Sequence, residues 1–161
     1  MDTTSENELL QIIDYEPKYR QAFGDLNKEW ITTYFWLEDS DHKVLNHPDE
    51  YIIDHGGHIL VALFDGEPVG VCALVKMNDG MYDYEMSKMA VSPKMHGKRI
   101  GWALSKAVME KARSLGAKKL YLESNTKLEP AIKMYYKMGF RKITKEGSAY
   151  ERCNIQMELD L

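Results

Sequence analysis

A strand carboxylate, a helix phenol and a basic glycine-bearing turn are the groups in this 161-residue chain whose types and spacing can do chemistry. The stretch from Tyr84 to Gly101 reads as a strand (Tyr84 to Val91), a turn (Ser92 to Arg99) and a helix opening at about Gly97 and running to Leu115. A strand that hands over to a helix through such a turn aims several backbone N–H groups at one spot, and the helix dipole adds positive potential there. That geometry holds a phosphate or pyrophosphate, and His96, Lys98 and Arg99 add side-chain donors. The turn has neither the GxxxxGKS/T of a P-loop nor the GxGxxG of a dinucleotide fold, so a nucleotide-like ligand is held by another scheme. The plain alternative is a turn rich in Lys and Arg because it is solvated. Glu85 stands four residues before Met89, and strict alternation along the strand puts both side chains on one face. Tyr135 recurs at helical spacing with Met134 and Met138, where core packing is the competing reading.

Other chemistries find less support. His55 and His58 lack a third ligand at fixed spacing, so no metal site is expected. Cys72 and Cys153 sit in strand-like runs without CxxC spacing and read as reduced core thiols. No Ser-His-Asp or Cys-His arrangement can be assembled from local motifs.

The elements that must position these groups follow from periodicity. Leu9 to Tyr15 reads as a first strand after a few disordered residues. Pro17 suits a helix start, with Tyr19, Phe23, Leu26, Trp30 and Ile31 at helical spacing. Thr32 to Leu37 is unusually aromatic, the run Glu38 to Asp41 is acidic, and a short helix is expected from about Asp41 to Asn46, ended by Pro48. His58 to Phe64 and Pro68 to Val75 are apolar runs joined by Asp65-Gly66, a hairpin signal. Asn78 to Gly80 turns the chain into the strand ending at Val91. In the long helix Ile100, Leu104, Ala107, Val108, Ala112 and Leu115 share a face, with Gly116 as its cap. Lys119 to Glu123 reads as a buried strand parallel to the Met89 strand, and Pro130 as the first residue of a helix capped by Gly139. Phe140 to Thr144 and Arg152 to Leu159 form a last hairpin. The expected fold class is α+β: a central, mixed, mostly antiparallel twisted sheet of about seven strands flanked by about four helices.

Met89-Ala90-Val91, then His96-Gly97-Lys98-Arg99-Ile100-Gly101, then the run from Ala131 through Tyr135 to Gly139-Phe140, resemble the GCN5-related N-acetyltransferases (the GNAT superfamily). The resemblance covers the chain from about residue 58 to its end. In that family a Q/R-x-x-G-x-G/A pattern opens the long helix and binds the pyrophosphate of acetyl-coenzyme A. His96 stands here where Gln or Arg is usual, and Arg99 where the first Gly is usual. The resemblance implies one GNAT domain over residues 1–161, with acceptor-side helices in 1–56 and an acetyl-CoA-binding core in 58–161. It implies that the Met89, Ala90 and Val91 backbone pairs with the pantetheine arm, and that His96, Gly97, Lys98, Arg99, Ile100 and Gly101 hold the pyrophosphate. Asn125, after the Lys119 strand, contacts the arm, and Tyr135 lies near the sulfur as candidate acid. Glu85 is the first candidate base, used through water in some members of the family. Glu29 and Glu123 are the others, and Glu29, Trp30, Tyr34 and Phe35 are candidates for the acceptor pocket, the aromatics having plain core as the alternative. Lys133 and Lys137 are placed to reach phosphates or simply to solubilise.

The implied function is acetyl transfer from acetyl-CoA to a primary amine, of a small molecule or of a peptide or protein, by direct attack in a ternary complex. The rival is a catalytically silent acyl-CoA-binding sensor or partner domain, and a nucleotide-binding module of unrelated chemistry is a third reading. A net charge of −4 argues against nucleic-acid binding, and the acidic run Glu38 to Asp41 favours a cationic acceptor. With a polar, acidic start and no long apolar run, no signal peptide or membrane span is expected, and a soluble cytoplasmic protein follows. A homodimer is common in the family.

Overall fold

The structure is a computed structural model that describes residues 9–144 and 151–161. The start expected to be disordered and the tip of the last hairpin lie outside the described residues. The described residues form seven strands: β1 (Leu10–Asp14), β2 (His58–Phe64), β3 (Glu67–Lys76), β4 (Tyr84–Val91), β5 (Lys119–Ser124), β6 (Arg141–Ile143) and β7 (Ile155–Asp160). They form one sheet in the order β1-β2-β3-β4-β5-β7-β6, antiparallel except where β4 meets β5. Among the described residues four α-helices join them: α1 (Arg20–Tyr34), α2 (Asp39–Asn46), α3 (Ile100–Ser114) and α4 (Glu129–Met138). This is the expected α+β class.

The apolar periodicities divide between two cores, one on each face of the sheet. On one face Ile100, Leu104 and Val108 of α3 and Tyr135 of α4 pack with Cys72, Leu74, Met86, Leu120 and Met157. On the other, Phe23 and Ile31 of α1 and Leu45 of α2 pack with Val61, Val71, Ala73 and Ala90. A Cβ on Gly70 of β3 would come within 2.9 Å of the Leu104 Cδ1 and 3.1 Å of the Ile100 Cγ2, so glycine there lets the start of α3 lie down on the sheet. That seating fixes where the α3 N-terminus opens.

Local chemistry explains the hairpin and several boundaries. Asp65 and Gly66 both have positive φ, 50° and 80°, as a type I′ hairpin turn requires. Helix α2 begins at Asp39, two residues ahead of the expected start, because Glu38 and Asp41 form a capping box in which the Glu38 N–H donates to the Asp41 carboxylate at 2.9 Å. Helix α3 begins at Ile100 rather than about Gly97: Gly97 (φ 82°) and Arg99 (φ 57°) are left-handed and cannot belong to a right-handed helix. At its far end the Ala117 N–H bonds the Ala112 carbonyl and the Gly116 N–H that of Arg113, a Schellman closure. Leu115 therefore falls past the last turn and is 40% exposed, while Ser105 and Met109 complete the buried face instead. Pro130 is the second residue of α4, after Glu129, not the first. A π-helical turn, Asp49–Ile53, follows Pro48 unexpectedly. No helix among the described residues is long and apolar enough to cross a membrane.

Candidate active site

The site is made by a fault in the sheet. β4 and β5 pair only at Tyr84 with Leu120 and Glu85 with Tyr121, and beyond those residues they part. On its other edge β4 carries one residue more than β3: Val71 faces Ala90 and Ala73 faces Ser87, so Cys72 stands opposite both Lys88 and Met89. Lys88 takes a left-handed conformation, φ 54°, and the pair is a β-bulge. An extra residue reverses which side chains face which way. Tyr84 and Met86, then Met89 and Val91, pack toward α3 and α4. Glu85, opposite Val75, and Ser87, opposite Ala73, face the α1 side. The expectation that Glu85 and Met89 share a face is therefore overturned, because alternation breaks at Lys88.

A cleft of about 780 Å³ occupies the parting and is walled from both faces of the sheet. From the α1 side come Trp30, Tyr34, Phe35 and Glu85; from the α3 side come Met89, Val91, Ile100, Gly101 and Tyr135. Ala90, His96, Gly97, Arg99, Asn125, Lys133 and Lys137 also line it. Two predicted residues do not. Glu29 is exposed on α1, and Lys98 holds its ammonium over the Phe64 ring, 5.4 Å from the centroid.

At one end the Ser92–Arg99 turn delivers the α3 N-terminus. The first helical bond runs from the Ala103 N–H to the Arg99 carbonyl at 3.2 Å, so the N–H groups of Ile100, Gly101 and Trp102 precede any intrahelical acceptor, and no side chain caps them. A Cβ added at Gly101 would meet only the Met89 Sδ, at 3.9 Å, and one at Gly97 would meet nothing within 4 Å. The protein's own packing does not need Gly101 to be glycine; the vacant volume lets an anion approach the helix end. The Arg99 guanidinium lies over the Trp102 ring, 5.3 Å from the centroid, and Trp102 lines the cleft. Trp102 was not singled out in the sequence, although its place as third residue of the helix, one turn from Arg99, signalled it.

At the other end stand the carboxylates and aromatics. Glu85 lies half-buried in the wall. Glu123 also lines the cleft but accepts the Tyr121 hydroxyl at 2.5 Å. Trp30 and Tyr34 stack at a tilt, 5.3 Å between centroids; both, with Phe35, wall the cleft, and Trp30 and Phe35 also pack against the α1-side core. The side chain of Asn125 is engaged within the protein, donating to the Arg152 carbonyl at 2.8 Å and accepting from the Lys127 N–H at 2.9 Å. Cys153 is no core thiol: it precedes β7 and lines the cleft. Cys72 is fully buried, and burial pushes its thiol up to about 12, which keeps it unreactive.

Tyr135 sits in the middle, buried except toward the cleft, edge-on to Phe140 at 5.8 Å. Its hydroxyl makes no hydrogen bond with any other described residue. Burial, and secondarily the nearby Cys72, raise its phenol above the ordinary value of 10, so it stays protonated through the neutral range as a standing donor.

Sequence reasoning missed a buried ionic cluster at the cleft rim. The Arg152 guanidinium forks onto Asp41 at 2.6 and 2.7 Å and reaches Glu38 at 3.0 Å. The Lys88 ammonium donates at 3.1 Å to the Asp41 Oδ1, which also accepts from Arg152. Glu38 and Asp41 are therefore consumed internally, and the inference of a cationic acceptor from that acidic run falls. Burial alone would raise the Asp41 carboxyl, but the Arg152 fork, the Glu38 N–H and Lys88 outweigh it and hold it down at about 2 against an ordinary 3.8. A depressed carboxyl adds stability that is complete above pH 4 and lost as pH falls through 2. This group should contribute about 2 kcal/mol across that window, and urea unfolding midpoints measured from pH 5 to pH 2 should show a slope that shrinks in Asp41→Asn. Among the described residues no three His, Cys, Asp or Glu side chains cluster to hold a metal ion.

Comparison with known proteins bears on this geometry. A model of the acetyltransferase (GNAT) family matches residues 19–140. An uncharacterized N-acetyltransferase of Mycobacterium tuberculosis is 36% identical over 92 residues, 57% of this chain and 58% of that protein. The chain spans about half the length of the curated relatives it first matches. Among solved structures, a GNAT acetyltransferase of Staphylococcus aureus superposes with a TM-score of 0.82 at 19% identity, covering 94% of this chain and 98% of that one. A Salmonella typhimurium protein solved with its cofactor acetyl-CoA superposes with a TM-score of 0.73 at 17% identity, covering 94% of each chain. At these identities the structures speak for the fold alone.

Proposed function

The chain belongs to the acetyltransferase (GNAT) family, and we propose that it moves an acetyl group from acetyl-CoA to a primary amine, of a small molecule or of a peptide or protein, by direct attack in a ternary complex. The observation that carries this reading is the cleft through the split sheet, with an anion cradle at one end and a carboxylate among aromatics at the other. The residues present suit the cofactor. The open space before Gly97 and Gly101 admits a pyrophosphate to the α3 N–H groups, and His96, Arg99, Lys133 and Lys137 line the same wall.

Acetyl-CoA, when bound, supplies the acyl carbon and a thiolate leaving group. Glu85 takes a proton from the incoming ammonium, through water, and frees the nitrogen lone pair to attack. A backbone N–H of the Met89–Val91 segment that points into the parting donates to the acyl oxygen as charge gathers on it, while the Ala90 N–H is directed at β3. As the C–N bond forms and the C–S bond breaks, Tyr135 hydrogen-bonds the sulfur and gives up its proton. The second proton of the amine restores the phenol, so the turnover releases one proton net. Trp30, Tyr34 and Phe35 supply the apolar wall against which the acceptor lies.

The test is steady-state thiol release with a panel of primary amines. Tyr135→Phe should lower kcat about 10- to 100-fold while leaving acetyl-CoA affinity within about twofold. Tyr136→Phe, on the exposed side of the same helix at 49% exposure, should change neither. An unaltered kcat in Tyr135→Phe removes the phenol from the mechanism. Tight acetyl-CoA binding without thiol release for any amine returns the silent binding domain.

A further inference from the structure

We propose that Lys88 is a positioning residue: its ammonium, buried against Asp41, holds the left-handed kink that parts β4 from β5 and so sets the Met89–Val91 backbone on the cleft wall. The inference rests on the acetyl-transfer reading only for what that backbone does. The kink and its anchor are properties of the fold.

A lysine is strained at φ 54°, because in the left-handed conformation its Cβ crowds the following carbonyl oxygen. Something must offset that strain, since the kink supplies the extra β4 residue opposite Cys72. The Lys88 side chain is 6% exposed and its carboxylate partner 0%. Asp41 is itself fixed from three directions, by the Arg152 fork, the Glu38 N–H and the first turn of α2. Arg152 in turn accepts on its carbonyl from Asn125, in the loop between β5 and α4. One buried carboxylate thus ties together the start of α2, the β4 kink and the segment entering β7, three pieces of chain around the cleft mouth.

A straight β4 would be the default for this sequence. Without the kink, alternation would continue past Ser87, Met89 would swing to the α1 face, and β4 would go on pairing with β5 beyond Tyr121 and close the parting. The charge of Lys88 is spent on Asp41. Its role is the conformation it enforces, one residue before Met89.

Glycine and alanine at position 88 separate this role from every other. Both substitutions delete the same ammonium, break the same ion pair and expose Asp41 to the same loss, so a purely stabilising role, or a charge that touches the substrate, moves both variants alike. Only a backbone role distinguishes them, because glycine keeps the left-handed conformation without strain and alanine does not. Lys88→Gly should hold kcat within about threefold of the parent, and Lys88→Ala should lose about tenfold. Amide hydrogen exchange reads the kink independently of turnover. Protection of the β5 amides beyond Tyr121 should rise in Lys88→Ala as the strands close, and stay at the parental level in Lys88→Gly. Equal kcat and equal protection in the two variants would overturn the proposal. If the parent turns over no amine, the acetyl-transfer reading has failed and the exchange comparison still decides the kink.

Discussion

Gly101→Val should weaken acetyl-CoA binding about 100-fold while leaving the unfolding midpoint within a few degrees of the parent. The two halves of this expectation have separate causes. A Cβ at position 101 would meet only the Met89 Sδ, at 3.9 Å, on a flexible side chain, so the fold accepts a side chain there, and valine is no worse than glycine in a helix. The cost falls on the ligand. A phosphate must come within hydrogen-bonding distance of the Ile100, Gly101 and Trp102 N–H groups, and an isopropyl group at the second helical position stands in that path. Losing about two charge-assisted hydrogen bonds, each worth roughly 1.5 kcal/mol, gives about 3 kcal/mol, or two orders of magnitude in Kd. Trp30 and Trp102 both line the cleft, so intrinsic fluorescence can follow the titration. Equal affinity in parent and variant would move the cofactor's phosphates away from the α3 N-terminus.

Glu85→Gln should reduce kcat about 100-fold with acetyl-CoA affinity unchanged. Glutamine keeps the size and hydrogen-bonding capacity of the side chain but cannot take a proton from an ammonium ion, so the loss isolates the base. The bulge at Lys88 strengthens the assignment while correcting its basis. Glu85 faces the aromatic, α1 side of the sheet, to which the proposed function assigns the amine, and Met89 faces the α3 side, to which it assigns the cofactor. Glu123→Gln serves as the comparison. Its carboxylate already accepts the Tyr121 hydroxyl, so a proton-transfer role would have to displace that bond, and a change in kcat of less than about fivefold is expected. A Glu123→Gln loss larger than that of Glu85→Gln would exchange their roles.

The parts of the fold that were legible in the sequence are those where a local rule acts alone. Asp65-Gly66 between two apolar runs specified its hairpin, and the Ile100, Leu104, Val108, Ala112 stripe specified the helix on the sheet. What escaped depends on contacts between distant segments. Alternation along Tyr84 to Val91 read as unbroken because nothing in its composition marks Lys88 as left-handed; the cause is Asp41, 47 residues earlier. The acidic run Glu38 to Asp41 read as a rim for a cationic acceptor because its partner Arg152 lies 111 residues from Asp41. The glycines and cations of the turn before α3 mark an anion cradle, but they do not show that Gly97 and Arg99 are both left-handed, which sets the helix start at Ile100. Lys98, counted among the cradle's donors, points instead at Phe64. Glu29 sat beside the right aromatics in sequence and on the wrong side of α1 in space.

Isothermal titration of the folded protein with acetyl-CoA tests the central claim most directly. The account predicts saturable binding at one site per chain, competed by coenzyme A, and weakened when the His96-to-Arg99 turn is replaced by neutral residues. A folded sample that takes up no acetyl-CoA would contradict the account, and with it every role assigned along the cleft.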